Sequence, residues 1–199
     1  MKNSCKHLDI GCGTIPRNPY SAASIYGVDI RDIQDLDESD FIYKQANLTF
    51  ERIPFPDDFF DSVSAFDFLE HIPRQITTPE GNLVNPFIKL MNEIYRVLKP
   101  GGKFFALTPV YPHPSVFVDP THVNFITKKT HKYFTGKTPH GRMYGFTGNF
   151  KIIKVKRDSP KNIYNDKQCL IKKIFRRVNR ILFDNGLSHI VWEFVADKN

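Results

Sequence analysis

The chain has 199 residues, 41% hydrophobic and 25% charged, which is the length of one domain and enough apolar content to bury a core without disulfides or a structural metal. Its three cysteines (Cys5, Cys12, Cys169) exclude a disulfide framework, and none stands in a CxxC zinc spacing. The net charge of +7 is uneven, −5 over residues 1–100 and +12 over residues 101–199, which points to an anionic partner without naming it. The N-terminus has no apolar leader and no run approaches the ~18 apolar residues of a membrane span, so a cytoplasmic location is expected.

Short apolar runs alternate with turn and helix signals through the first half. Lys6-His7-Leu8-Asp9-Ile10 reads as a strand entering a glycine turn, after which a helix can begin near Pro16. Ser24 to Asp29, Phe41 to Ala46 and Phe60 to Phe66 read as the next three strands. Leu83, Phe87, Leu90, Ile94, Val97 and Leu98 recur at three-to-four spacing, a helical pattern stopped by Pro100-Gly101-Gly102, and Lys103 to Thr108 gives a fifth strand. Residues 109–126 form a Pro/His-rich loop, and Thr127 to Phe134 suits a short helix with Thr127 as its cap. Phe150 to Lys156 alternates like an edge strand, residues 167–183 form a basic amphipathic helix, and His189 to Ala196 is the last strand. The expected fold is α/β: a doubly wound, mostly parallel sheet in a single domain.

The most informative segment is Leu8-Asp9-Ile10-Gly11-Cys12-Gly13-Thr14. Glycines let a backbone turn tightly and let a ligand approach its amides. Pro16 stands where a dinucleotide fingerprint needs its third glycine. Asp29, closing the second strand, can accept both hydroxyls of a ribose. Asp9, before the turn, can order the loop and attract an ammonium group. A ligand with a ribose and a charged amino-acid tail, without phosphate, matches this pattern better than a dinucleotide does.

With these residues the chain resembles the class I S-adenosylmethionine (SAM)-dependent methyltransferases of the type 11 kind. The resemblance runs in order through Asp9-Ile10-Gly11-Cys12-Gly13, Gly27-Val28-Asp29, Ile53-Pro54-Phe55-Pro56-Asp57-Asp58, Phe68-Leu69-Glu70-His71-Ile72 and Glu93 to Gly102. It implies a Rossmann-like seven-stranded sheet with an antiparallel last strand, SAM as cofactor, and a cofactor half over residues 1–108. In that map Asp9, Gly11, Cys12 and Gly13 lie at the methionine part, and Asp29 and Ile30 at the ribose. Asn47 and Leu48 lie at the adenine edge, and Phe66 borders the methionine end. Asp119-Pro120-Thr121-His122 also resembles a segment of small bacterial methyltransferases that accompany surface-glycan gene sets.

Catalytic groups belong near the carboxyl ends of strands four and five, where ligands sit in open α/β sheets. His71 and His122 are alternative general bases, and Tyr111, His113 and Asp119 can shape an acceptor pocket. His113, Asp119 and His122 are metal-ligand types, but their spacing is not diagnostic and no metal is assigned. Residues 151–180 carry eleven Lys+Arg and two acids. That stretch reads as a solvated face, a contact for an anionic acceptor or a membrane surface, or a nucleic-acid grip; the Ala65-Phe66-Asp67-Phe68 run lacks a nucleic-acid methylase signature. The main expectation is methyl transfer to a small-molecule or glycan-like acceptor, at oxygen. An RNA methyltransferase and a non-catalytic adaptor of the same fold are the alternatives. The chain starts almost at its first strand, so a short or missing N-terminal lid is also expected.

Overall fold

A computed structural model describes residues 5–33, 41–164 and 187–198. Its strands are β1 (Lys6–Ile10), β2 (Ser24–Asp29), β3 (Ile42–Gln45), β4 (Phe60–Phe66), the hairpin pair β5 (Ile76–Thr77) and β6 (Leu83–Val84), β7 (Leu98–Tyr111), β8 (Ile126–Thr127), β9 (Phe150–Asp158) and β10 (His189–Ala196). Helix α1 (Pro86–Val97) joins β6 to β7, and α2 (Pro160–Tyr164) follows β9. The main sheet runs β3-β2-β1-β4-β7-β10-β9, with β8 added beside the end of β7. β1, β2, β3, β4 and β7 are parallel; β10 runs antiparallel to both β7 and β9. This is the expected Rossmann-like sheet with a reversed last strand. The order turns outward in opposite directions from β1 and β4, so a crevice opens at their carboxyl ends.

α1 forms because Pro86 presets its first turn and cannot extend the chain backward as helix. Its stripe of Phe87, Leu90, Met91, Ile94 and Val97 is buried in one hydrophobic cluster with Leu8, Ile10, Val63, Phe104 and Trp192 of the sheet. Leu83, expected on this helix, is instead an exposed residue of β6, because the proline starts the helix three residues later. The predicted helix from Thr127 is also different: Ile126 and Thr127 pair with β7, and a 3-10 turn occupies Thr130–Tyr133. Thr127 Oγ1 accepts the Lys129 amide, but the turn is capped at Lys129 without a side-chain hydrogen bond, so Thr127 does not take the capping role expected of it.

The helix expected near Pro16 is absent. Pro16 and Pro19 remove two amides, Asn18 exchanges side-chain hydrogen bonds with Ala22, and Ser21 adopts φ +52. This loop covers the second sheet face, where Tyr20 donates to Glu193 Oε1 and sits edge-on to His7. That face is polar at its centre. Ser64 donates to Asp9 Oδ1, so His7 Nε2–H must donate to Ser64 Oγ at 2.9 Å, leaving His7 Nδ1 to accept from Ser62 at 2.7 Å. The basic stretch predicted as a helix over 167–183 lies outside the described residues.

Burial holds the His7 imidazole down at about 4, against an ordinary 6.5. The unfolded chain takes up this proton near pH 6.5 and the folded chain only near pH 4. Its contribution to stability is therefore full above pH ~6.5 and is lost as the pH falls through that window. The stability advantage of the wild type over His7→Gln is expected to shrink by about 2–3 kcal/mol between pH 7 and about pH 4.5. Denaturant unfolding at both pH values measures this, and a constant gap would contradict a buried neutral His7.

Candidate active site

At the crevice, Gly11 (φ +68) and Gly13 (φ +60) adopt left-handed backbone that side chains resist. The Gly11 and Cys12 amides both donate to the Val28 carbonyl, which pins the turn to β2. A methyl group on Gly11 would lie 2.3 Å from Phe68 Cδ2, so the missing side chain is what admits the Phe68 ring. The Cys12 thiol donates to the Gly13 carbonyl, and burial pushes it up to about 12, so it is no nucleophile.

Asp29 is buried at the carboxyl end of β2. Its Oδ2 accepts the Gly13 amide at 2.8 Å and Arg31 Nη2 at 3.2 Å; its Oδ1 accepts Arg31 Nε at 3.0 Å and the Arg31 amide at 3.1 Å. Burial pushes this carboxyl up, but the Arg31 side chain and the two amides outweigh it and hold the group below its ordinary value. Ile30, beside it, is exposed. Asn47 Oδ1 accepts the Thr49 amide and so shapes its own turn, and Leu48 is buried in the core.

Two expected cofactor residues are placed differently. Asp9 is fully buried, its oxygens accepting from the Arg17 amide and Ser64; burial pushes it up to about 6. It orders the 14–23 loop and presents no open face to an ammonium group. Phe66 packs on the second sheet face with Leu107 and Val191, because side chains alternate along β4. The ring against the glycine turn is Phe68.

The rim after β4 carries the densest chemistry. A 3-10 turn over Leu69–His71 aims Glu70 inward and leaves His71 half-buried. The returning loop is stitched to it, since the Val123 and Asn124 amides both donate to the Glu70 carbonyl and Asn124 Nδ2 donates to the Leu69 carbonyl. This brings His122 against His71, ring centroids 4.9 Å apart, and sets His122 Nε2 3.9 Å from Glu70 Oε1. Thr108 donates to Glu70 Oε2, and burial pushes the Glu70 carboxyl up to about 8. His71 is lowered by burial and by His122. Asp119 accepts the Thr121 hydroxyl, whose oxygen is paired with His71 Nδ1 at 3.0 Å.

The two histidines proposed as alternatives are therefore one unit, with Asp119 attached through Thr121. Tyr111 and His113 stand apart: His113 Nδ1 accepts the Ser115 amide, and the Tyr111 carbonyl accepts from Arg157. Sequence reasoning passed over Glu70, visible only as an acid inside the apolar run Phe68-Leu69-Glu70-His71-Ile72. It also missed Asp67 (φ +47), whose Oδ1 pairs with His189 Nε2 at 3.0 Å, with His189 Nδ1 2.7 Å from Ser188 Oγ. No local signal links two residues so far apart in the chain.

Residues 8–106 match the family described as a methyltransferase domain. This segment is a class I SAM-dependent methyltransferase domain. The chain is 32% identical over 119 residues to a sterol 24-C-methyltransferase of Neurospora crassa, covering 52% of this chain and 27% of that protein. It is 37% identical over 90 residues to a ubiquinone/menaquinone biosynthesis C-methyltransferase of Psychromonas ingrahamii, covering 43% of this chain and 30% of that protein. The matches thus span less than a third of either curated relative. A SAM-dependent methyltransferase structure from Archaeoglobus fulgidus superposes with a TM-score of 0.57 at 20% identity, over 98% of this chain and 87% of that one, a likeness of fold.

The domain's cofactor is S-adenosylmethionine. The residues present fit it: a side-chain-free glycine turn lies against β2, and its Gly13 amide is anchored on the ionised, buried Asp29 carboxylate. Arg31, largely exposed, covers that carboxylate and can swing away at little cost. Among the described residues no helix is long and apolar enough to cross a membrane.

Proposed function

We propose that the protein transfers a methyl group to an oxygen of a small or glycan-like, anionic acceptor. Residues 1–108 would form the cofactor half and residues 109–199 the acceptor half of one domain. The observation that carries this reading is the unit of Glu70, His71 and His122 at the carboxyl end of β4, beside the glycine turn. A hydroxyl is a poor nucleophile until its proton is removed, and two imidazoles beside a carboxyl are suited to that task. The cofactor, when bound, supplies an electrophilic methyl on a sulfonium sulfur. The rim would take the proton that the acceptor hydroxyl loses on methylation and pass it to solvent. Gly11, Gly13 and Asp29 hold one reactant and the rim holds the other, which is where most of the rate enhancement of an in-line transfer arises. The basic second half supports an anionic acceptor.

Screening hydroxylated acceptors by S-adenosylhomocysteine (SAH) release tests the reading. His71→Ala and His122→Ala are each expected to lower kcat about a hundredfold while SAH affinity is kept. Full activity in both variants would remove the rim from the reaction. A carbon acceptor is the second reading, favoured by both curated relatives, which are C-methyltransferases. NMR of the product separates O-methyl from C-methyl.

A further inference from the structure

We propose that Glu70, His71 and His122 bind a divalent first-row transition-metal ion, a site of two imidazoles and one carboxylate. One ligand atom from each residue lies within 4.8 Å of the other two. Hydrogen bonding determines which atoms carry lone pairs. His122 Nδ1 is 3.0 Å from the Val116 carbonyl, which can only accept, so the neutral ring carries its proton on Nδ1 and leaves Nε2 bare. The Thr121 hydroxyl spends its proton on Asp119 Oδ1, so it can only accept from His71 Nδ1–H, and His71 Nε2 is bare as well.

The carboxylate supplies the independent observation. Glu70 is 2% exposed, its Oε2 accepts from Thr108, and its buried Oε1 has no hydrogen-bond donor. That oxygen faces the bare His122 Nε2 at 3.9 Å. The gap is too long for a hydrogen bond and suits a shared cation. Ligands about 2.1 Å from an ion are separated by about 3.4 Å in a tetrahedral site, and by up to about 4.2 Å where a higher coordination number sets two of them opposite each other. Nitrogen donors select zinc, iron, cobalt or manganese over calcium and magnesium. The support around the ligands matches a metal centre, because each imidazole gives its other N–H to a fixed oxygen and so holds its ring in place.

Three protein ligands leave coordination positions open toward the crevice. This deepens the proposed function and rests on it in one respect: an acceptor hydroxyl bound to the ion would lose its proton near neutral pH, as metal-bound water does. Metal binding itself is measured without turnover.

The test uses the untagged full chain, stripped with chelator and titrated with Co²⁺, following the visible d–d absorption, and with Zn²⁺ by calorimetry. One equivalent is expected to bind the wild type. Glu70→Gln and His122→Ala should each weaken binding about a hundredfold, His140→Ala should leave it unchanged, and all variants should retain SAH binding as proof of folding. Wild type that binds SAH but no Co²⁺ or Zn²⁺ overturns the site, as does unchanged stoichiometry and affinity in the Glu70→Gln/His122→Ala double variant. If metal binding fails while His122→Ala still lowers kcat, the rim acts through free imidazole, and the methyl-transfer reading stands without the ion.

Discussion

Replacing Asp29 with alanine is expected to weaken SAH binding about a hundredfold or more, measured by calorimetry on a protein that keeps its circular dichroism. Hydrogen bonds to a charged group contribute about 1.5–3 kcal/mol each, so losing two ribose hydroxyl contacts alone reaches that factor. The substitution also takes the acceptor away from the Gly13 amide, now 2.8 Å from Asp29 Oδ2, and loosens the turn that must face the ligand. Arg31→Ala is the paired control. Its side chain occupies both carboxylate oxygens, but it is 60% exposed, and such an ion pair is worth at most about 1 kcal/mol. SAH affinity in Arg31→Ala is therefore expected to rise, by no more than about fivefold. Unchanged affinity in Asp29→Ala would remove the ribose assignment.

The largest effect on stability is expected from Phe150→Ala. Phe150 is fully buried at the start of β9, with its ring against Tyr95, Phe104, Phe146 and Phe194. Those four rings come from α1, β7, the loop before β9 and β10, so no single element can move in to fill the space. Truncating a core phenylalanine costs about 3–5 kcal/mol, a fall in Tm of roughly 6–20 °C for a chain of this size. Ile152→Ala, two residues along the same strand but half-exposed, is expected to cost about half a kcal/mol or less. Thermal unfolding of the two variants compares them directly; equal effects would mean that the aromatic cluster is not the cooperative core.

Much of the fold was legible because its signals are local. The period-two strands, the glycine turn, the acid closing β2 and the α1 stripe each follow from residues a few positions apart. The absence of the helix expected near Pro16 shows where local reading stops. Pro16 alone suits a helix start, but Pro19 and the Asn18–Ala22 bonds turn the segment into a loop that lies over the His7–Ser64–Asp9 network. Phe66 and Phe68 are two residues apart in one motif, yet only the end of β4 and the left-handed Asp67 decide that Phe68 reaches Gly11.

The sequence by itself determined the first strands, the glycine turn and the acid that closes β2. Gly11, Gly13 and Asp29 are recognisable because tight turns and strand ends constrain residue type within a short window. Only the tertiary structure decided the chemistry at the rim. His71 and His122 belong to segments 51 residues apart, and hydrogen bonds from the 121–124 loop to the 69–71 turn bring them onto Glu70. Whether an imidazole nitrogen carries a proton or a bare lone pair depends on the partner placed opposite it. That partner comes from packing across the fold, which no spacing along the chain encodes.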